Sequence, residues 1–120
     1  MNELINRLFS SAPDAAPEYL AVSDWMTDKP LDEIAETITK YEARFRQFSD
    51  EVVGILGEPT LTTVTDPDAL SDWYPEAIHA ECWRRDDKLL CLALEHHDRD
   101  TPVGVVLRCL TRSEIQELKE

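Results

Sequence analysis

Glycine is nearly absent from this chain: Gly54, Gly57 and Gly104 are the whole supply in 120 residues. A phosphate-binding loop needs several glycines in a short span so that backbone amides can approach a nucleotide, and no such span exists. Nothing has the form of a nucleophile elbow either. Cysteine is equally sparse. Cys82, Cys91 and Cys109 have no C-x-x-C spacing, which excludes a disulfide framework and fits reduced thiols. No apolar run is long enough for a membrane span or a secretory h-region, and the opening Met1-Asn2-Glu3 carries no basic n-region, so the expected location is the cytosol.

The most informative shortage is of positive charge. Between Arg46 and Arg84 there is no lysine or arginine, while Asp50, Glu51, Glu58, Asp66, Asp68, Asp72, Glu76 and Glu81 all lie in that interval. Over the whole chain 12 bases face 25 acids, a formal net charge of −13. Nucleic acid and anionic membrane surfaces would repel such a chain, so neither is an expected partner. One-signed charge repels itself and adds little to a fold; beyond solubility, its benefit is attraction of a positively charged protein.

The residues present are enough for one globular domain. At 42% apolar content, 120 residues can bury a single core without metal or disulfides, and residues 1–120 are expected to form one domain. Leu4, Ile5, Leu8 and Phe9 share a helical face before Pro13 interrupts, which predicts a first short helix. A second is predicted from Pro17, carrying Tyr19, Leu20, Val22, Trp25 and Met26. The third is the best specified: Leu31, Ile34, Ile38, Tyr41, Phe45, Phe48, Val52 and Ile55 recur at spacings of three and four. Pro30 stands at its start, Gly57 supplies a left-handed stop and Pro59 prevents continuation. A helix over 31–56 would span about 39 Å, with its apolar stripe laid on a sheet and the first two helices; the alternative is an intermolecular coiled coil, for which Tyr and Phe at the seam make a poor zipper.

Residues 60–65 are β-branched enough for an edge strand, and 66–75 form a turn-rich acidic loop. An antiparallel meander follows, with strands predicted at 78–85, 88–96 and 102–110 and a short helix at 113–119. If Asp86-Asp87 is a two-residue turn, Cys82 faces Cys91 and Trp83 faces Leu90; the next hairpin then sets Leu92 against Leu107 and Leu94 against Val105. This register places Trp83, Leu90, Leu92, Leu94, Val103, Val105, Leu107 and Cys109 on one core face. Alternation also sends His79 and Glu81 there, so either they lie beyond the covering helix or a bulge changes the phase. The predicted class is therefore α+β, with N-terminal helices and one long amphipathic helix packed on a C-terminal antiparallel β-meander of three to four strands.

His96-His97-Asp98-x-Asp100 has metal-binding side chains, but neighbouring strand residues point to opposite faces and no further ligand is evident. The segment reads as a polar turn, and no metal, cofactor or catalytic residue is expected. Cys82 and Cys91, though opposed, read as small buried thiols, since Cys109 lies on the other face and cannot complete a soft-metal site. Trp73 and Tyr74 sit among Asp66, Asp68, Asp72 and Glu76, the composition of an interface anchor in which aromatics bury area and carboxylates pair with Arg or Lys. These six are the candidate partner-binding residues; the alternative is that the two aromatics fold back on the core.

In the last third, Trp83 precedes a charged turn, the apolar strand Lys88-Leu89-Leu90-Cys91-Leu92-Ala93-Leu94 follows, then His97-Asp98 in a turn and Pro102-Val103-x-Val105 on the next strand. This pattern resembles small acidic bacterial toxin-immunity proteins. The resemblance implies a non-enzymatic cytosolic binder that blocks a cognate basic toxin, often a nuclease, by presenting carboxylates to its active site. The second functional class is an acidic secretion chaperone or adaptor for an exported client, which shares this size and charge. Monomer and homodimer are both compatible with the sequence.

Overall fold

The computed structural model describes residues 1–11, 16–62, 77–96 and 100–111. Two helices and five strands follow in the order α1 (Asn2–Ser11), β1 (Glu18–Val22), α2 (Leu31–Leu56), β2 (Leu61–Thr62), β3 (Ala77–Arg85), β4 (Lys88–Glu95) and β5 (Gly104–Thr111). The strands form one antiparallel sheet in the order β1-β5-β4-β3-β2. The class is α+β, as predicted. The C-terminal helix expected at 113–119 lies outside the described residues.

The meander register agrees with the sequence reading. Cys82 faces Cys91, Trp83 faces Leu90, Leu92 faces Leu107 and Leu94 faces Val105. The turn at Asp86-Asp87 places Asp86 at φ +58°, a left-handed conformation that Asp tolerates better than most residues. One sheet face joins Trp83, Leu90, Leu92, Leu94, Val103, Val105, Leu107 and Cys109 to Ile5, Leu8 and Phe9 of α1 and to Phe45 and Val52 of α2. Each fully buried Leu or Val there contributes roughly 1.5–3 kcal/mol relative to exposure. The opposite face is buried as well: Ala80, Cys82, Leu89, Cys91, Ala93 and Val106 form a second cluster.

The long helix occupies the predicted span. Pro30 caps it in an extended conformation and its carbonyl accepts from Ile34 N–H. At the other end Gly57 has φ +88° and ψ −164°, a region almost closed to residues with a Cβ, and its N–H donates to the Val53 carbonyl. Its own carbonyl accepts from the buried Trp83 indole N–H at 2.8 Å, so the helix stop and the sheet core are joined at one peptide. Gly57→Ala will therefore destabilise by about 1–3 kcal/mol. Gly54→Ala, in the helix interior with open space where a Cβ would go, will stabilise by about 0.5–1 kcal/mol. Urea unfolding checks both, and shifts of the same sign would contradict the backbone argument.

His79 and Glu81 do face the helix, and each meets a polar group of α2. The His79 Nε2 lies 2.9 Å from Glu42 Oε1 and its ring stacks on Phe45, while the Ser49 hydroxyl donates to Glu81 Oε2 at 2.5 Å. The irregularity in pairing between Ala77 and His79 precedes them, so alternation is intact from His79 onward.

The expectation of a second helix from Pro17 is wrong. Residues 18–22 are instead an edge strand pairing with β5, Glu18 against Leu107 and Val22 against Gly104, with an irregularity between Tyr19 and Ala21. A helix would have buried a stripe of Tyr19, Leu20, Val22, Trp25 and Met26, whereas the strand buries Ala21 and leaves Tyr19 and Val22 exposed, and in the segment after it Trp25 is exposed and Met26 buried. β5 would otherwise offer a row of unpaired amides beside the core, and satisfying them outweighs the weak local pattern.

Candidate functional site

All six residues expected to bind a partner, Asp66, Asp68, Asp72, Trp73, Tyr74 and Glu76, lie outside the described residues. The described part of the same acidic interval does have a geometry. Asp50 and Glu51 stand on the exposed side of the last turns of α2, and Glu58 is exposed just beyond Gly57. Among the described residues none of the three forms an ion pair. The fourth, Glu81, is turned inward to Ser49.

Several of the bases are engaged by other groups, although Arg84 and Arg85 line a small recess together with Glu58. Arg85 lies over the Phe9 ring at 4.4 Å and Lys88 donates to the Phe9 carbonyl, placing both near the negative end of the α1 dipole. Arg7 pairs with Glu18, Arg46 with Glu42, and Arg108 with Glu95. Asp50 and Glu51 at the end of α2 thus keep their field, Glu58 shares its recess with Arg84 and Arg85, and all three adjoin in sequence the loop that carries the remaining acids.

A recess of about 420 Å³ opens on the second sheet face at the β1 edge, lined by Tyr19, Val22, Glu95, Thr101, Pro102 and Gly104. Val22 pairs with Gly104, and the Tyr19 ring lies over that glycine, 3.5 Å from where a Cβ would stand. Glu95 is 2% exposed, and both its oxygens lie within 3.4 Å of Arg108 Nη2.

Of the histidine cluster, His97 and Asp98 lie outside the described residues. His96 has a buried Nε2 with no hydrogen-bond partner among the described residues, and Asp100 is exposed. No group of three or more metal-ligating side chains occurs among the described residues. Cys82 and Cys91 are buried free thiols in contact at 3.0 Å, and burial, together with the neighbouring Cys82, pushes the Cys91 thiol well above its usual range. Such a thiol stays neutral and unreactive. No described helix is long and apolar enough to cross a membrane.

No protein-family model, curated protein or solved structure matches this chain. The recess and its aromatic edge were missed from the sequence because Tyr19, Val22 and Trp25 were assigned to a buried helical stripe. Pro17 beside the β-formers Tyr19 and Val22 was the available hint of a strand.

Proposed function

We propose that this chain is a non-enzymatic acidic binding protein of the immunity type, which neutralises a cognate basic bacterial toxin in the cytosol by direct contact. The observation that carries this reading is the exposure of Asp50, Glu51 and Glu58 without an ion pair among the described residues. Carboxylates left unneutralised on a folded surface steer a cationic protein in from a distance and pair with its Arg and Lys groups on arrival. The low glycine content and the buried, neutral Cys91 thiol add no feature that an enzyme would require.

The protein encoded beside this reading frame is the partner to test. It should form a one-to-one complex, lose its activity on binding, and associate more slowly as salt rises. Reversing Asp50, Glu51 and Glu58 together to lysine should lower the association rate at low salt by about tenfold or more. An unchanged rate rejects these residues as the steering surface, and a partner that keeps its full activity in the complex rejects inhibition. The chaperone alternative predicts instead binding of an unfolded segment of an exported protein, with no folded domain inhibited.

A further inference from the structure

Two thiols meet in the middle of the sheet at the one kind of ladder position where a covalent bond between them fits. Cys82 of β3 stands directly opposite Cys91 of β4, and their sulfurs are 3.0 Å apart. Antiparallel pairs alternate between hydrogen-bonded and non-hydrogen-bonded sites, and at the second kind the Cα atoms approach to about 4.5 Å with the side chains closer. Two hydrogen bonds on the far side of β3 decide which kind this is. The Cys82 carbonyl accepts from Thr60 N–H and the Arg84 N–H donates to Thr60 Oγ1, so the backbone groups of both residues point toward β2 rather than β4. Counting from the Asp86-Asp87 turn gives the same answer. Arg85 and Lys88 close that turn as a hydrogen-bonded pair, and Cys82 with Cys91, three pairs farther along, is of the other kind.

Such a pair lies within the Cα separations that disulfides span, which begin at about 4.4 Å. The sulfurs have to close by about 1 Å to reach the bonded distance of about 2.05 Å. Their neighbours leave room for that movement: the next pair along the same sheet face is Ala80 with Ala93, which present only methyl groups. The third thiol cannot compete, because Cys109 belongs to the cluster on the opposite face. All three cysteines are free in this structure.

We propose that Cys82 and Cys91 form a reversible cross-strand disulfide, giving the chain a dithiol form and a disulfide form whose ratio follows the thiol–disulfide balance of its surroundings. The oxidant is a low-molecular-weight disulfide such as glutathione disulfide. One cysteine loses its proton and attacks a sulfur of the oxidant, whose S–S bond breaks and releases one thiol; the second cysteine, also deprotonated, attacks the protein sulfur of that mixed disulfide and releases the other. The protein gives up two protons and two electrons, and the oxidant leaves as two thiols. In the closed ladder both sulfurs are fully buried and the Cys91 thiol stays neutral, so the first attack waits for the β3–β4 hairpin to open. Reclosing the ladder brings the two sulfurs back into contact and drives the second. A reducing compartment keeps the dithiol, and a rise in glutathione disulfide converts it. The new bond crosses the hairpin whose Trp83 holds the end of α2, and it restricts the unfolded chain there. This device is independent of what the acidic surface binds.

The test is a redox titration of the full chain. Reduced protein, one sample folded and one refolding from urea, is equilibrated in mixtures of glutathione and glutathione disulfide, then acid-quenched, unfolded, alkylated and digested with trypsin. Because no lysine or arginine lies between Arg46 and Arg84, the cysteines fall in separate peptides, 47–84, 89–99 and 109–112. Mass spectrometry should find 47–84 joined to 89–99 and 109–112 alkylated, in the same proportion from both samples. The oxidised chain should melt about 5 °C or more above the dithiol, a difference that dithiothreitol abolishes. Cys109→Ala should keep both results, while Cys82→Ala and Cys91→Ala should each lose the link and the shift. Three alkylated cysteines in the most oxidising mixture, a lasting glutathione adduct at Cys82 or Cys91, or a link that includes Cys109 would overturn the proposal. So would the expected link with no rise in melting temperature, since the ladder would then not fit the bond. A folded sample that stays reduced while the refolding one oxidises would overturn it too, because the two forms would not exchange.

Discussion

Replacing Trp83 with alanine will lower the unfolding free energy by about 3–5 kcal/mol, the range for deleting a large aromatic from a packed core. Trp83 is buried in β3 opposite Leu90, within the cluster that joins both helices to the sheet. Its removal leaves a cavity that the antiparallel ladder on either side cannot close, and it also releases the Gly57 carbonyl at the end of α2. Trp83→Phe separates the two effects. It keeps most of the apolar volume and forfeits the indole hydrogen bond, so it should lose about 1–2 kcal/mol. Urea unfolding followed by circular dichroism reads both variants, and a midpoint change with constant slope identifies a stability effect. A loss under about 1 kcal/mol for the alanine variant would mean that the helix-to-sheet core is not packed around this side chain.

How far the sequence predicted this architecture depends on how many local signals agreed. For α2 the apolar spacing, Pro30, Gly57 and Pro59 all pointed to the same boundaries, and the helix occupies Leu31–Leu56. The meander register followed from a single two-residue turn, because one fixed turn sets every later pair by period two. β1 was not recoverable in this way. Its five residues carry a mixed pattern, and its identity depends on the open edge of β5, which lies more than eighty residues away in sequence. The misfit residues His79 and Glu81 were correctly placed by alternation, yet their partners Glu42 and Ser49 could be found only once the face of α2 was known.

The same distinction applies to function. Charge sign and its distribution are one-dimensional properties, so the acidic interval was evident at once. Whether a carboxylate keeps its field is a property of the fold. Glu81 and Glu95 are taken up internally, while Asp50, Glu51 and Glu58 are not ion-paired among the described residues. Tyr19 and Val22 are exposed because a strand, rather than a helix, was formed there.

Arg108→Met will destabilise the protein by about 2–4 kcal/mol at neutral pH. The Glu95 side chain is 3% exposed and follows Ala93 and Cys91 on the same sheet face, so its charge has little access to water. Arg108 spans from β5 to both carboxylate oxygens, at 3.3 and 3.4 Å, and shields that charge. Deleting one partner of a buried pair leaves the other charge uncompensated at about 3–5 kcal/mol, and the lower range is expected here because Arg108 is 29% exposed and both groups make further contacts. Glu95→Gln should lose about 1 kcal/mol, since it removes the charge that needed compensation. The double variant should then be more stable than Arg108→Met alone, which requires a coupling larger than the roughly 1 kcal/mol lost in Glu95→Gln, read in a double-mutant cycle by urea unfolding. Additive effects would mean that the two side chains do not act as a pair, and the floor of the recess beside Tyr19 would then have to be held by other contacts.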